Sequence, residues 1–336
     1  MIPNRPPEPT EETIMQITVT GASGLLGSSV ARALVADGHA VTTLQRRPSG
    51  VDGARDVLGS VTDPAAVAEA VAGAEAIVHL AAKVSMMGDP AEFEAVNIGG
   101  TATLVEAARA AGVPRLVHIS SPSVAHTGDS IVGDGAGPAS PEHARGEYAR
   151  TKAAGELIAL EADSPAFRVL VLRPHLMWGP GDTQLTERVI DRARAGRMPV
   201  LGSGAALVDT LFVDNAVEAI VAAVAAVDEH HGEALVVTNG QPRPIGELIS
   251  RIAMAGGAAE PRLRIPVGPA LAAGSVVERV WALGEHDDEP PLTRFLAEQL
   301  STAHWFDQRR TQEVLSWRPR ISIEEGLTIL AERYAG

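Results

Sequence analysis

The sequence predicts an α/β protein, a parallel sheet covered by helices on both faces, and two observations predict it. From Ile14 onward short β-branched runs alternate with longer helical stretches, which is the rhythm of strand-helix-strand units. A glycine cluster, Gly21, Gly24 and Gly27, separates the first such run from the first helix, where open parallel sheets place a tight turn.

Taken in order, Ile14 to Thr20 reads as the first strand, and the helix after the glycines stops at Asp37-Gly38, since glycine accepts the left-handed cap conformation. Ala40 to Leu44 is the second strand. Asp63-Pro64 puts a capping carboxylate before a proline at a first helical position, and Gly112 with Pro114 closes a helix that begins near Gly99. Further strands fall at Ala76 to Leu80, Arg115 to Ser121, Phe167 to Arg173 and Ala234 to Thr238. After Arg173 the rhythm loosens, and only Thr210 to Val227 and Ala234 to Thr238 return to it. The expected organisation is a flexible tail over 1–13, a dinucleotide-binding domain over 14–175 with 208–240, and a smaller interleaved substrate lobe over 176–207 with 241–336. The apolar stretch from Ile265 to Gly284 is read as a helix facing the core, with a greasy pocket or a lipid surface as the alternative.

Composition narrows the function. In 336 residues, 28 basic and 42 acidic side chains give a net charge of −14, a field that repels nucleic acid. The chain has no cysteine, so disulfides, thiolate metal sites and cysteine nucleophiles are excluded; no metal is expected. Met1 to Thr13 lacks the apolar run of an export signal, and no later stretch is long and apolar enough to span a bilayer. A cytoplasmic location is expected.

The chemistry sits in three motifs. Gly21, Ser23, Gly24, Leu25, Leu26 and Gly27 form a loop whose backbone amides can approach a pyrophosphate at the positive end of a helix. At the end of the second strand, Gln45, Arg46 and Arg47 stand where a carboxylate would select the unphosphorylated dinucleotide. Two guanidiniums there favour a 2′-phosphate, so NADPH is the expected cofactor, with NADH as the alternative. Tyr148 and Lys152 lie one helical turn apart on one face. The ammonium is expected to lower the phenol's pKa and make it a usable acid or base. Ser121 ends a strand at the carboxyl edge of the sheet and can hold a carbonyl oxygen, with Ser123 the second choice.

These motifs, in this order over Gly21 to Lys152, resemble the extended short-chain dehydrogenase/reductase superfamily, whose fold is a Rossmann-type doubly wound parallel sheet. The likeness continues through His79-Leu-Ala-Ala82, Asn97-Ile-Gly-Gly-Thr101, Trp178-Gly-Pro-Gly181 and Phe212-Val-Asp214-Asn215. It implies that Lys152 also holds the nicotinamide ribose and that Asn97 completes the catalytic set. It also implies cofactor contacts from Leu80, Ala81, Ala82 and Lys83, and from Pro174 and His175. Arg173 to Asp182, Pro290-Pro-Leu-Thr293 and the tail from Trp305-Phe-Asp307 resemble the 3-beta-hydroxysteroid dehydrogenase-like branch. Ser120-Ser-Pro-Ser-Val124 and Arg173-Pro-His175 are similar to the 2-alkyl-3-oxoalkanoate reductases of bacterial olefin synthesis.

The expected function is therefore NADPH-dependent reduction of a ketone on a small hydrophobic substrate, a 2-alkyl-3-oxoalkanoate. The alternatives are a steroid or sterol dehydrogenase, a sugar-nucleotide epimerase or dehydratase, and a non-catalytic NADP-binding regulator. Val208 occupies the place where the sugar branch carries a diphosphate-binding arginine. Ser123, His126, His175 and Trp178 are the candidate substrate contacts, with His143 a further one. A homodimer, and peripheral contact with a membrane or a lipid-pathway enzyme, are the expected associations.

Overall fold

In the computed structural model the structure describes residues 14–85, 88–126, 128–281 and 293–335. The expected tail over 1–13, and Pro290 to Leu292 of the Pro-Pro-Leu-Thr motif, lie outside the described residues.

Seven parallel strands form the central sheet. The first five are β1 (Gln16–Thr20), β2 (Ala40–Gln45), β3 (Arg55–Leu58), β4 (Ala76–His79) and β5 (Arg115–Ile119); Arg168–Pro174 and Glu233–Val237 complete it. β1 lies between β2 and β4, and β5 between β4 and the strand Arg168–Pro174. Strand order reverses at β1, so the carboxyl ends of β1, β2, β4 and β5 open onto one crevice. β3 escapes the sequence pattern because only Val57 of its residues is buried.

Helix α1 (Leu25–Ala36) and the helix Val213–Ala226 cover one face through Val30, Leu34, Ala219 and Ala223. On the other face, helices Pro64–Val71, Gly100–Ala110 and Gly146–Glu161 bury Val67, Leu104 and Ala159. Asp63 caps the first of these through Ala65 N at 3.0 Å, as its spacing predicts. The helix expected to begin near Gly99 begins earlier: Pro90–Phe93 runs through a π-helical turn, Glu94–Gly99, directly into Gly100–Ala110.

A smaller four-stranded sheet has the order Arg243–Pro244, Leu207–Val208, His304–Phe306, Ile131–Asp134. Its strands come from four distant parts of the chain, and a separate core of Ile190, Phe212, Ile249 and Leu330 lies near it. Val267–Trp281 is a helix that buries Ala270 and Gly274 and leaves Val276 and Val280 exposed. No helix among the described residues is long and apolar enough to cross a membrane.

One close approach positions the site. A Cβ added at Gly155 would stand 2.4 Å from the Asn97 carbonyl oxygen, so the helix Gly146–Glu161 meets the π turn backbone to backbone. Gly155→Ala should push the two apart, lowering stability by about 1–3 kcal/mol as overpacking does. A denaturant midpoint shift checks the first effect, and loss of turnover beyond the unfolded fraction checks the displacement of the site.

Candidate active site

The crevice is a cleft of about 880 Å³. Gly21 turns with φ +77°, a conformation that favours glycine, and a Cβ on Gly27 would lie 2.4 Å from the Gly21 oxygen. The loop therefore folds against the first turn of α1 with no room for side chains. Gly24 caps α1 without a side-chain hydrogen bond, and no acidic residue occupies its first turn. Its terminal amides are left to an anion.

Gly21, Ser23, Gly24, Leu25, Leu26, Gly27, Gln45, Arg46, Arg47, Leu80, Ala81, Ala82, Lys83, Tyr148, Lys152 and Pro174 all line this cleft. His175 does not; it lines the adjoining cavity. Gln45 is clamped by its amide, Nε2 donating to Thr43 Oγ1 and Asp56 Oδ1, each at 3.1 Å, while its buried Oε1 has no partner. Arg46 and Arg47 are exposed, and no ion pair holds them among the described residues. An orphaned amide oxygen, free helix amides and two exposed guanidiniums fit a dinucleotide. Ser60, which stands where many relatives have an acidic residue near the adenine, is on the cleft wall, while the spacing of the sequence missed Asp56 behind Gln45, and also Thr62 and Gln184 on that wall.

Tyr148 and Lys152 project from the helix Gly146–Glu161. The Tyr148 hydroxyl is hydrogen-bonded to the Ser121 side chain, and Ser123 Oγ donates to Ser121 Oγ at 2.9 Å. Ser121 thus meets the phenol, with Ser123 behind it. Lys152 Nζ donates to the Ile119 carbonyl at 2.6 Å. Burial brings the Lys152 ammonium down to about 8, with Glu156 opposing. For the phenol the expectation is reversed: burial pushes Tyr148 up, offset in part by the Ser121 hydrogen bond. No lowering by Lys152 accompanies these two effects.

Asn97 is buried off the cleft wall. Its Oδ1 accepts from Lys83 N at 2.8 Å, and its Nδ2 donates to Lys83 O at 3.1 Å and to Thr151 Oγ1 at 3.0 Å. It ties the backbone after β4 to the helix of Tyr148 and Lys152, so it positions the catalytic groups rather than joining them.

A second cavity of about 170 Å³ shares Ser121 and Tyr148 with the cleft and is lined further by Ser123, His126, His175, Phe295, His304 and Phe306. The left-handed Leu176, φ 42°, also lies on its wall. Of the expected substrate contacts, Ser123, His126 and His175 are here. Trp178 is not: it is fully buried, edge-on to Phe212 with ring centroids 5.2 Å apart. Neighbouring Met177 faces the cleft, and consecutive strand residues point to opposite sides. His143 bonds Ser140 Oγ on the surface. Sequence reasoning missed His304 and Phe306, although the Trp305-Phe-Asp307 motif marked their strand.

Behind the site, Arg173 and Glu156 form an ion pair with both side chains almost wholly buried. Arg173 also donates to the Ala136 carbonyl and, at 3.0 Å, to that of Gly137. The glycine-rich loop before Tyr148 is thereby fastened to the sheet.

Residues 17–238 match the model of the NAD dependent epimerase/dehydratase family. The 2-alkyl-3-oxoalkanoate reductase of Stenotrophomonas maltophilia (strain K279a) is 39% identical over 321 residues, covering 93% of this chain and 97% of that protein. The enzyme of the same name from Shewanella oneidensis is 32% identical, covering 92% of this chain and 84% of that protein. Among solved structures, gox2253 superposes with a TM-score of 0.77 at 23% identity, covering 96% of this chain and 98% of that one.

Lys152 is cationic below about pH 8 and neutral above it. Affinity for the anionic dinucleotide should accordingly fall as pH rises through that value, read by nicotinamide fluorescence titration. Lys152→Met should bind more weakly and show no inflection there.

Proposed function

The chain belongs to the NAD dependent epimerase/dehydratase family, and from that premise we propose that it uses NADPH to reduce the ketone of a 2-alkyl-3-oxoalkanoate to the secondary alcohol. It is an oxidoreductase of C=O and CH–OH groups, as its ketoreductase relatives are named. One observation carries the finer reading: Ser121 and Tyr148 form the wall common to the dinucleotide cleft and the smaller cavity. A carbonyl held there has a hydroxyl donor on one side and the cleft on the other.

The glycine loop and the start of α1 hold the pyrophosphate, Gln45, Arg46 and Arg47 hold the adenosine end with its 2′-phosphate, and Lys152 holds the nicotinamide ribose. When bound, the dinucleotide supplies the hydride that goes to the carbonyl carbon. Ser121 Oγ and Tyr148 Oη orient the carbonyl oxygen, and the Tyr148 O–H bond breaks as its proton passes to that oxygen. A phenol whose pKa burial raises is protonated at neutral pH, the state that reduction requires of its acid. The Ser121 hydrogen bond, which favours the ionised phenol, stabilises the phenolate left behind.

Among the described residues no lysine or arginine lines the smaller cavity, and Val208, in the place of the diphosphate-binding arginine, is buried in the small sheet. Both observations argue against a nucleoside diphosphate sugar. The set formed by Ser121, Tyr148 and Lys152 argues against a silent regulator.

Consumption of NADPH on adding a 2-alkyl-3-oxo acid tests the reading. Tyr148→Phe should lose about 10²–10⁴ in kcat, the worth of a positioned proton donor, while its NADPH affinity holds; undiminished turnover would sink the assignment. Arg46→Ala with Arg47→Ala should lower the NADPH to NADH ratio of kcat/KM by about tenfold or more, since each charge-assisted contact contributes about 1.5–3 kcal/mol. An unchanged ratio would place the phosphate elsewhere.

A further inference from the structure

Three imidazoles border the smaller cavity, and their partners fix where the protons sit. His175 Nδ1 lies 2.5 Å from the Asp209 carbonyl. A carbonyl only accepts, so Nδ1 carries the proton and Nε2 keeps its lone pair. That Nε2 has no hydrogen bond among the described residues, and the ring is on the cavity wall. The Thr302 hydroxyl donates to the Glu298 carbonyl at 2.7 Å, so its oxygen accepts from His304 Nε2 at 3.0 Å. The same Nε2 proton is shared with His126 Nε2 at 2.9 Å. His304 Nδ1 is then a second lone pair, buried and without a partner.

The rings are packed closely, with centroids 4.7 Å apart for His126 and His304 and 5.9 Å for His175 and His304. Burial holds His175 down to about 4 and His304 to about 3, and neighbouring imidazoles push the same way. His126 is also lowered by burial, against Glu298 and Asp129, which raise it, and with Arg145, which lowers it. The cluster is therefore uncharged at neutral pH and, at His175 Nε2, offers a lone pair to whatever enters.

A bare carboxylate is acceptor-only and would be repelled by the Nε2 lone pair of His175, and among the described residues no lysine or arginine lines the cavity. A carboxyl group entering with a proton satisfies that lone pair. In a 3-oxo acid the carboxyl is separated from the ketone by a single carbon. With the ketone at Ser121 and Tyr148, it lies at the junction with this cavity.

We propose that His175, backed by the hydrogen-bonded pair His304 and His126, is the carboxyl subsite of this enzyme, and that the acid is bound together with one proton. The proposal rests on the 3-oxo acid reading above. Whether the proton resides on Nε2 or on the carboxyl oxygen, the uptake is the same, and the charge of the acid is neutralised on entry.

Calorimetry of a non-reducible analogue, a saturated 2-alkylalkanoic acid, into the NADPH-saturated protein in two buffers of different ionisation enthalpy reads that proton directly. About one proton taken up per site at neutral pH is expected; binding without uptake overturns the proposal. In turnover, KM for the 3-oxo acid should rise by up to about tenfold per pH unit across neutrality, while KM for a dialkyl ketone lacking the carboxyl should show no such slope. His175→Asn keeps a donor for the Asp209 carbonyl but has no second ring nitrogen, so it should flatten the slope and abolish the uptake; a variant that keeps both overturns the assignment. If acid and ketone are reduced with the same pH-independent KM, the ketoreductase reading stands and the carboxyl subsite falls. If neither is reduced, the ketoreductase reading falls, and proton uptake with the saturated acid alone decides the subsite.

Discussion

A buried ammonium resting on a strand-end carbonyl organises this molecule. Lys152 is 4% exposed, and its 2.6 Å bond to Ile119 O joins the helix Gly146–Glu161 to the carboxyl end of β5. Burying a cation is costly unless it is hydrogen-bonded and balanced, so the surroundings are constrained in turn. The carbonyl must be left free by the sheet, which requires β5 to end there. The helix must come close enough for the lysine to reach, which the absence of a side chain at Gly155 permits. Glu156, one turn further on, supplies the nearby negative charge and is itself secured by Arg173. The same guanidinium holds the loop that leads into Tyr148. Sheet, helix and loop are thus coupled through a few polar contacts on the side of the sheet away from α1.

The two cavities that meet at Ser121 and Tyr148 are opposite in character. The cleft has helix amides, the exposed guanidiniums of Arg46 and Arg47, and the ammoniums of Lys83 and Lys152, all suited to anions. The smaller cavity has imidazoles that burial keeps neutral, among Phe295, Leu296 and Phe306. A ketone at the junction meets a protonated phenol whose neutral form is favoured by the apolar side of its surroundings. The desolvation that makes Tyr148 a poor base makes it a well-defined acid, which suits reduction better than the phenolate that spacing alone suggests. Asn97 contributes at one remove, by keeping the backbone after β4 and the helix of Tyr148 in register.

How much of this was legible in the sequence follows from the distance over which each feature is encoded. The glycine loop and the Tyr148–Lys152 pair each lie within one turn or one helix, so spacing determines their geometry. The central strands were legible because their buried runs are continuous; β3 was not, being an edge with one buried residue. The smaller cavity was only partly visible. His126 and His304 stand 178 residues apart in sequence, and no local pattern announces that two strands from such distant segments pair. Trp178 was misplaced for a related reason: a motif marks its segment as near the site, but a one-residue alternation turns Met177 toward the cleft and Trp178 into the core. The direction of the Tyr148 pKa was misread because charge spacing is written in the sequence, whereas burial depends on everything packed around the ring.

The net charge of −14 sets a last constraint. A dinucleotide carries negative charge, so the protein as a whole repels what its cleft must hold. Salt screens that repulsion beyond about 8–10 Å, and inside this range the outcome depends on which groups are nearest. At the cleft these are the amides of α1, whose first turn has no acidic residue, the Arg46 and Arg47 guanidiniums, and two carboxylates already engaged, Glu92 by Lys83 and Asp182 by the amides of Gln184, Leu185 and Thr186. Asp56, the nearby carboxylate behind Gln45, is occupied by hydrogen bonds from Thr43, Gln45 and Ser49. In the proposed carboxyl subsite, where no lysine or arginine lines the smaller cavity among the described residues, a proton carried in with the acid does what the guanidiniums do at the other end. On that reading a chain this acidic accepts two anions side by side, one meeting permanent positive charge and the other neutralised as it enters.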